Sequence, residues 1–334
     1  MTKPKIVVTS AVFPETAAFL AEHCDVDLNN GLDPWPEHEL LRRCAAAEGM
    51  LAFMTDRVDG AFLAACPVLR VIACALKGWD NFDRDACTAA GVHLTIVPDL
   101  LTEPTAELAI GLALALGRNI LAGDNLVRRG RFRGWRPSLY GVGLANSVVG
   151  IAGAGQVGQA IARRVRGFGP ARILYHDNVA LPPDTADRLG MQRAPWLALI
   201  ESCDVLFMAL PLSVETRGLL GRDALERIKP GCLVINVGRG SVVDEEAVAE
   251  ALAALRLGGY AADVFEMEDW ALDDRRPRIP QALLDSERTV FTPHLGSGVS
   301  EVRWLIEMTA AQNLVDALEG RAPAGAINQP ATRV

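Results

Sequence analysis

His294, Glu268, Arg239 and Lys77 all fall where an apolar run stops, which is where a chain places side chains that act on a ligand. "TVFTPHLGS" delivers His294, "GGYAADVFEMED" delivers Asp263, Glu266 and Glu268, and "CLVINVGRGSVVDEEAV" sets Arg239 between two glycines. A histidine beside a carboxylate is an acid–base pair, because the carboxylate fixes the imidazole tautomer and favours the imidazolium. An arginine offers a rigid fork of donors to an oxyanion. Earlier, "LRVIACA" runs into "LKGWDNFD", so Lys77 and Gly78 put a cation next to a residue that permits close backbone approach. Singly, each has an ordinary explanation: a solvated loop lysine, a loop salt bridge, a turn acid, a satisfied strand-end histidine. Jointly, behind a nucleotide motif, chemistry is the better reading.

That motif is "VVGIAGAGQVGQAIARRV", with Gly153, Gly155 and Gly158 in G-x-G-x-x-G. The hexapeptide is weak in a chain rich in alanine and glycine, but here it follows a strand and opens a helix. Its glycines allow a tight turn, close approach of a pyrophosphate and close helix packing. Backbone N–H groups at the helix start, at Gln156 and Val157, meet the phosphate charge. The next strand ends in "LYHD", nineteen residues past Gly158 at Asp177. A carboxylate there accepts from both ribose hydroxyls and repels a 2′-phosphate, so NAD is expected rather than NADP. His176 reads as surface or adenosine rim.

The elements that must carry these residues are short apolar strands alternating with helices. "KIVVTS", "GMLAFM", "LRVIACA" and "VHLTIV" form one series, and "SVVGIAG", "RILYHD", "CDVLFMALP", "CLVINVG", "GGYAADVF" and "TVFTPH" a second. Such alternation implies parallel sheets covered on both faces, and 334 residues are too many for one ordinary core. The expected fold class is α/β, two Rossmann-like doubly wound parallel-sheet domains with an inter-domain cleft. Residues 1–100 and 296–334 form a flavodoxin-like substrate domain, and 101–295 the dinucleotide domain. Between the two series one long helix is expected over "TEPTAELAIGLALALGRNI", N-capped by Thr102 with Pro104 in its first turn. The loop-rich "RRGRFRGWRPSLYGVGLAN" follows, and its Trp135 and Tyr140 suit an arm packing on a second subunit. Helix and arm, about 101–146, are the expected dimerisation segment.

Composition narrows the partners. A net charge of −8 with no basic run argues against nucleic acid. The opening "MTKPKIVVTS" is not a signal peptide, and "LAIGLALALG" is too short to span a bilayer. Seven scattered cysteines without a CxxC pair read as reduced thiols of a cytoplasmic protein. No His/Cys cluster suggests a metal.

Read in order, "GIAGAGQVG", "NVGRGSVVDEEA", "DVFEMED" and "TPHLGS" resemble the D-2-hydroxyacid dehydrogenase family along the full chain. The resemblance implies Arg239, Glu268 and His294 as the family's Arg–Glu–His set. The family's glutamate falls five residues past the aspartate of its DVF segment, which selects Glu268 over Glu266. "MLAFMTDRVD", "CALKGWDNFD", "LTIVPDLLTEPTAELAIGL", "GYAADVFEMEDWA" and "GAINQP" are more similar to the branch of that family that oxidises phosphite. Most of the family carries a small or apolar residue where Lys77 stands. Phosphite is largely a dianion near neutral pH, and a second cation suits it.

That branch implies NAD-dependent oxidation of phosphite to phosphate. Lys77, Gly78 and Arg239 would bind the substrate, with Met54 and Leu101 as apolar wall and Ser297 in the pocket. Thr105, Pro211 and Asp263 would join the cofactor-binding set, while Trp135, Tyr140 and Arg303 lie at the pocket edge. A homodimer is implied too. Two alternatives stay open. An ordinary D-2-hydroxyacid dehydrogenase would use the same three residues, with Lys77 as the discriminating feature. A nucleotide-sensing corepressor-like protein would keep the fold, but the chain has no long polar extension and holds the complete constellation.

Overall fold

In a computed structural model, which describes residues 3–330, the apolar runs form two parallel sheets. The first contains β1 (Lys5–Val8), β2 (Asp25–Leu28), β3 (Gly49–Ala52), β4 (Val71–Cys74) and β5 (His93–Thr95), in the flavodoxin-like order β2-β1-β3-β4-β5. Alternate residues go to opposite faces, as a pleated strand requires. Ile6, Val8, Leu51 and Val71 pack on Leu20 of helix Pro14–His23 and on Ile306, Ala310 and Leu314 of helix Ser300–Leu318. Val7, Met50 and Ile72 face the other way, toward Leu40, Phe62, Leu63 and Cys87 of three shorter helices.

The second sheet contains β6 (Val148–Ala152), β7 (Arg172–His176), β8 (Met191–Arg193), β9 (Val205–Met208), β10 (Leu233–Asn236), β11 (Gly259–Ala262) and β12 (Thr289–Phe291). Its order is β12-β11-β10-β9-β6-β7-β8, so chain direction across the sheet reverses between β6 and β9. Such a switch point opens a crevice beyond the carboxyl ends of those two strands, and the glycine motif follows β6 directly. Val149, Ile151, Phe207 and Ile235 pack on helices Thr102–Gly117 and Gln156–Val165. Leu206, Val234 and Tyr260 pack on the opposite layer, which includes helix Glu245–Ala253. Each fully buried aliphatic side chain stabilises the fold by about 1.5–3 kcal/mol before entropy is counted.

Three features depart from the sequence reading. β2 and β8 are edge strands that apolar patterning does not reveal: "DVDL" and "MQR" each have one open side, where polar residues are tolerated. The expected long helix is broken. Asn119 adopts φ 52° and ψ 40°, a left-handed conformation asparagine tolerates, and divides it into Thr102–Gly117 and Ile120–Arg128, bent by 62°. Thr102 is the first helical residue rather than the cap, and its buried hydroxyl has no hydrogen-bond partner.

By contacts the chain divides into two compact units. One comprises residues up to Leu101, Trp270–Asp273 and those from Gly298 on; the other comprises Thr102–Asp269 and Asp274–Ser297. The sequence reading places 101 and 270–273 with the dinucleotide domain and 296–297 with the other; by contacts Leu101 and Trp270–Asp273 fall in the first unit and 296–297 in the second. Among the described residues no single helix is long and apolar enough to cross a membrane. All seven cysteines are buried and free.

Candidate active site

In the second unit, each glycine of the motif has a distinct reason. Gly153 has φ +95°, and a Cβ on it would lie 2.6 Å from the carbonyl oxygen of Ala209, just past β9. A Cβ on Gly158 would lie 1.9 Å from the Gly153 carbonyl oxygen, so the helix seats against the turn only without a side chain. Gly155 is different: a Cβ there would meet nothing within 4 Å. It is the N-cap of helix Gln156–Val165 and faces open space, which is what approach of a pyrophosphate to the helix N-terminus requires. Asp177 closes the crevice, accepting the Ala154 N–H at 2.7 Å and the Val179 N–H at 3.0 Å. Its carboxylate thus lies against the glycine turn, where an adenosine ribose belongs. His176 contacts the Ala194 carbonyl through Nδ1 at 3.3 Å, and its ring is tilted by 51° against that of Trp196 with centroids 5.8 Å apart. These residues fit a bound dinucleotide.

The expected acid–base pair, His294 and Glu268, comes together past the ends of β11 and β12. His294 Nδ1 is 2.8 Å from Glu268 Oε2, and both side chains are about a quarter exposed, 27% and 28%. A carboxylate only accepts, so Nδ1 carries a hydrogen, and in the neutral ring the lone pair is on Nε2. Glu266 is engaged elsewhere, 3.1 Å from Arg276 Nε. His294 has φ +55°, unusual for a residue with a side chain. Asp263, 1% exposed, holds that loop: it accepts from Thr292 Oγ1 and the Leu295 N–H at 2.6 Å and from the Gly296 N–H at 2.7 Å. Burial raises its pKa, and the same donors pull it back. The sequence reading puts Asp263 with the cofactor; its carboxylate is turned to the histidine loop. Thr105 comes close as well, since a Cβ on Gly296 would lie 3.0 Å from its Oγ1.

Arg239 follows β10 on a loop fixed at both sides. Asn236 Nδ2 donates to the Arg239 carbonyl at 2.9 Å, and Asn236 Oδ1 accepts the Gly238 N–H at 3.1 Å. Gly240 presses against the Glu266–Glu268 turn, where a Cβ would lie 1.9 Å from the Phe265 carbonyl carbon. Glu268 binds its own turn too, accepting the Phe265 N–H at 2.8 Å through Oε1. Two buried carboxylates escape the sequence reading. Asp269 accepts the Ser241 N–H at 2.6 Å, and Glu245 accepts the Glu266 N–H at 2.8 Å. Glu245 stands in the acid-rich "VVDEEA", which looks like an ordinary helix start, and Asp269 in "FEMED", where it looks like one more turn acid. Pro211 lies past β9, where its carbonyl accepts from Thr216 Oγ1 at 2.7 Å, and Ser297 closes the unit.

The first unit holds Lys77, Gly78, Met54, Leu101 and Arg303. Lys77 lies just beyond β4, 35% exposed, with Nζ 3.5 Å from Asp99 Oδ1. Arg303 donates to the Ala75 carbonyl at 3.4 Å, so it lies at the same strand end; burial lowers its pKa. Met54 is partly buried, and its carbonyl accepts from Asn81 Nδ2 at 2.9 Å. Leu101 packs on the sheet face that carries helix Ser300–Leu318.

Comparison with known proteins agrees with this geometry. Residues 110–296 match the family described as D-isomer specific 2-hydroxyacid dehydrogenase, NAD binding domain. A protein named glyoxylate reductase from Aeropyrum pernix is 34% identical over 339 residues, covering 100% of this chain and 98% of its own. The crystal structure of the TT0316 protein from Thermus thermophilus has a TM-score of 0.88 at 32% identity, covering 97% of this chain and 100% of that one. An NADPH-dependent glyoxylate/hydroxypyruvate reductase from Sinorhizobium meliloti, solved with NADP and malonate, has a TM-score of 0.83 at 27% identity, covering 98% and 97%. The protein is an NAD-dependent oxidoreductase, and the chain belongs to the D-isomer-specific 2-hydroxyacid dehydrogenase family.

Proposed function

We propose that this oxidoreductase converts phosphite to phosphate. The observation that carries the reading is Lys77, a cation at the carboxyl end of β4 in a position where the family resemblance expects a small or apolar residue. A carboxylate substrate can be held by backbone N–H groups and one arginine. A dianion with three oxygens favours a second positive charge, and Asp99 at 3.5 Å gives Lys77 a carboxylate to exchange for it.

In this reading Arg239 and Lys77 bind the phosphite oxygens, and the N–H groups around Gly78 assist. Bound NAD⁺ supplies the hydride acceptor. A water oxygen bonds to phosphorus as the P–H bond breaks with its electron pair, and His294 Nε2 takes the proton that water loses. Glu268 holds the imidazole through Nδ1 and favours the imidazolium that forms. A charge-assisted hydrogen bond is worth about 1.5–3 kcal/mol. Lys77→Ala is therefore expected to raise the KM for phosphite by about one to two powers of ten with little change for NAD. An unchanged phosphite KM would remove the lysine from the site.

The relatives' names support a second reading and not phosphite: reduction of glyoxylate or a similar 2-oxo acid. Arg239 would then bind the carboxylate and His294 would exchange the hydroxyl proton. Lys77 would be a loop lysine paired with Asp99.

A homodimer belongs to the same proposal. Helix Ile120–Arg128 has no buried residue, and Trp135 and Tyr140 beyond it are 76% and 75% exposed, an apolar surface that a second copy would cover. The buried free cysteines suit a reducing compartment such as the cytoplasm.

A further inference from the structure

Glu245 is wholly buried, and the mechanism above gives it no task. It is the first residue of helix Glu245–Ala253, whose cap is supplied by Asp244 accepting the Glu246 and Ala247 N–H groups. Glu245 is therefore not needed as a cap, yet its carboxylate is directed away from solvent. Oε1 accepts the Glu266 N–H at 2.8 Å, while Oε2 has no hydrogen-bond partner. An acid buried half-satisfied is costly unless the position needs it.

The position is the turn that carries Glu268. Two adjacent amides of that turn, Phe265 and Glu266, donate to two carboxylates, Glu268 and Glu245. Glu268 spends Oε1 on the first amide and Oε2 on His294. Glu245 spends Oε1 on the second. Nothing else in helix Glu245–Ala253 reaches the turn by a hydrogen bond of comparable geometry among the described residues. We propose that Glu245 is a positioning residue: by anchoring the Glu266 amide it holds the Glu268 carboxylate at His294 Nδ1, and so sets the basicity of the catalytic imidazole.

The surroundings agree. Burial pushes the Glu245 pKa up to about 7; the Glu266 N–H bond and the Arg276 charge lower it, while the Glu266 and Asp269 carboxylates raise it. Tyr260 of β11 is close enough for its hydroxyl to feel the Glu245 charge. A carbonyl oxygen accepts the Glu266 N–H whether or not the acid is ionised. Glutamine should therefore substitute for it, and alanine should not.

The proposal rests on His294 and Glu268 being the acid–base pair, but its test needs no substrate. The titration of His294 is followed by NMR on histidine-labelled protein, its signal identified among the five histidines by its absence from His294→Asn. Glu245→Ala should lower the His294 pKa by about half a unit or more, because a displaced carboxylate no longer favours the imidazolium. Glu245→Gln should leave it near the wild-type value. Val248→Ala, a cavity in the same helix, controls for general loosening and should not move it. If Glu245→Ala does not fold, Glu245→Asp withdraws the acceptor by one methylene and should give the same downward shift. A His294 titration unmoved in these variants, or moved equally by Val248→Ala, would overturn the proposal. Once a donor is known, kcat should fall in Glu245→Ala while the KM for NAD holds.

Discussion

His294 is fixed by backbone as well as side chain. Its φ of +55° is a conformation that costs a non-glycine residue on the order of 1 kcal/mol or more, and Asp263 holds it there through three donors of the same loop. Strain of this kind persists where surrounding structure over-determines it, and here the loop positions the imidazole that meets Glu268. Asp177 is a second residue whose surroundings give a measurable consequence. Its carboxylate lies at the glycine turn, and Arg193 Nη2 donates to its carbonyl oxygen at 2.9 Å. Asp177→Asn keeps an acceptor for the Ala154 N–H but removes the charge that repels a 2′-phosphate, with a guanidinium left close by. The ratio of kcat/KM for NAD over NADP should fall about tenfold or more, roughly 1.4 kcal/mol. A ratio unchanged in steady-state assays with both cofactors would show that Asp177 does not set the preference.

The element that matters most is the pair of loops after β10 and β11, which close on each other at Gly240. A Cβ there would lie 1.9 Å from the Phe265 carbonyl carbon and 2.1 Å from the Glu266 nitrogen, and backbone cannot yield as a side-chain tip can. Gly240→Ala should part the Arg239 loop from the Glu268 turn. We expect turnover to fall by more than tenfold, roughly 1.4 kcal/mol, with NADH binding by fluorescence retained. Normal turnover would mean the loops move independently. Much of this scaffold is legible in the sequence, because parallel strands buried on both faces are continuous apolar runs, as in "KIVV" and "VVGIA". β2 and β8 are illegible because an edge strand can be polar, and the break at Asn119 because asparagine inside "GRNI" looks like any surface residue. At the site, Gly153, Gly158 and Asp177 are readable from spacing, and Glu268 and His294 from motif. Glu245 and the true orientation of Asp263 are not, since they bind backbone amides distant in sequence, which leaves no periodic trace.

Across the whole molecule, buried acids give stability a pH dependence. Asp56 is 4% exposed and accepts from Thr9 Oγ1 and from the Phe53 N–H at 2.7 Å; burial pushes its pKa up from 3.8 to about 6. Because the folded value is the higher, the folded state binds the extra proton between the two. Its stabilising contribution is full below the unfolded pKa and is lost as pH rises through the folded one. Asp56→Asn cannot ionise, so its Tm relative to wild type should be higher at pH 8 than at pH 4.5, by the equivalent of about 1–3 kcal/mol. An equal difference at both pH values would show that the folded pKa is not raised, the charge being matched in the fold. The reaction itself belongs to the whole enzyme. Near-UV absorbance of NADH formed from NAD⁺ tests it most directly, with phosphite as donor in one cuvette and glycolate, D-lactate and D-glycerate in others. NADH should form rapidly with phosphite and little with the hydroxy acids. Turnover confined to a hydroxy acid would contradict the phosphite reading, leaving the fold and the Arg239–Glu268–His294 set in place and returning Lys77 to a loop lysine.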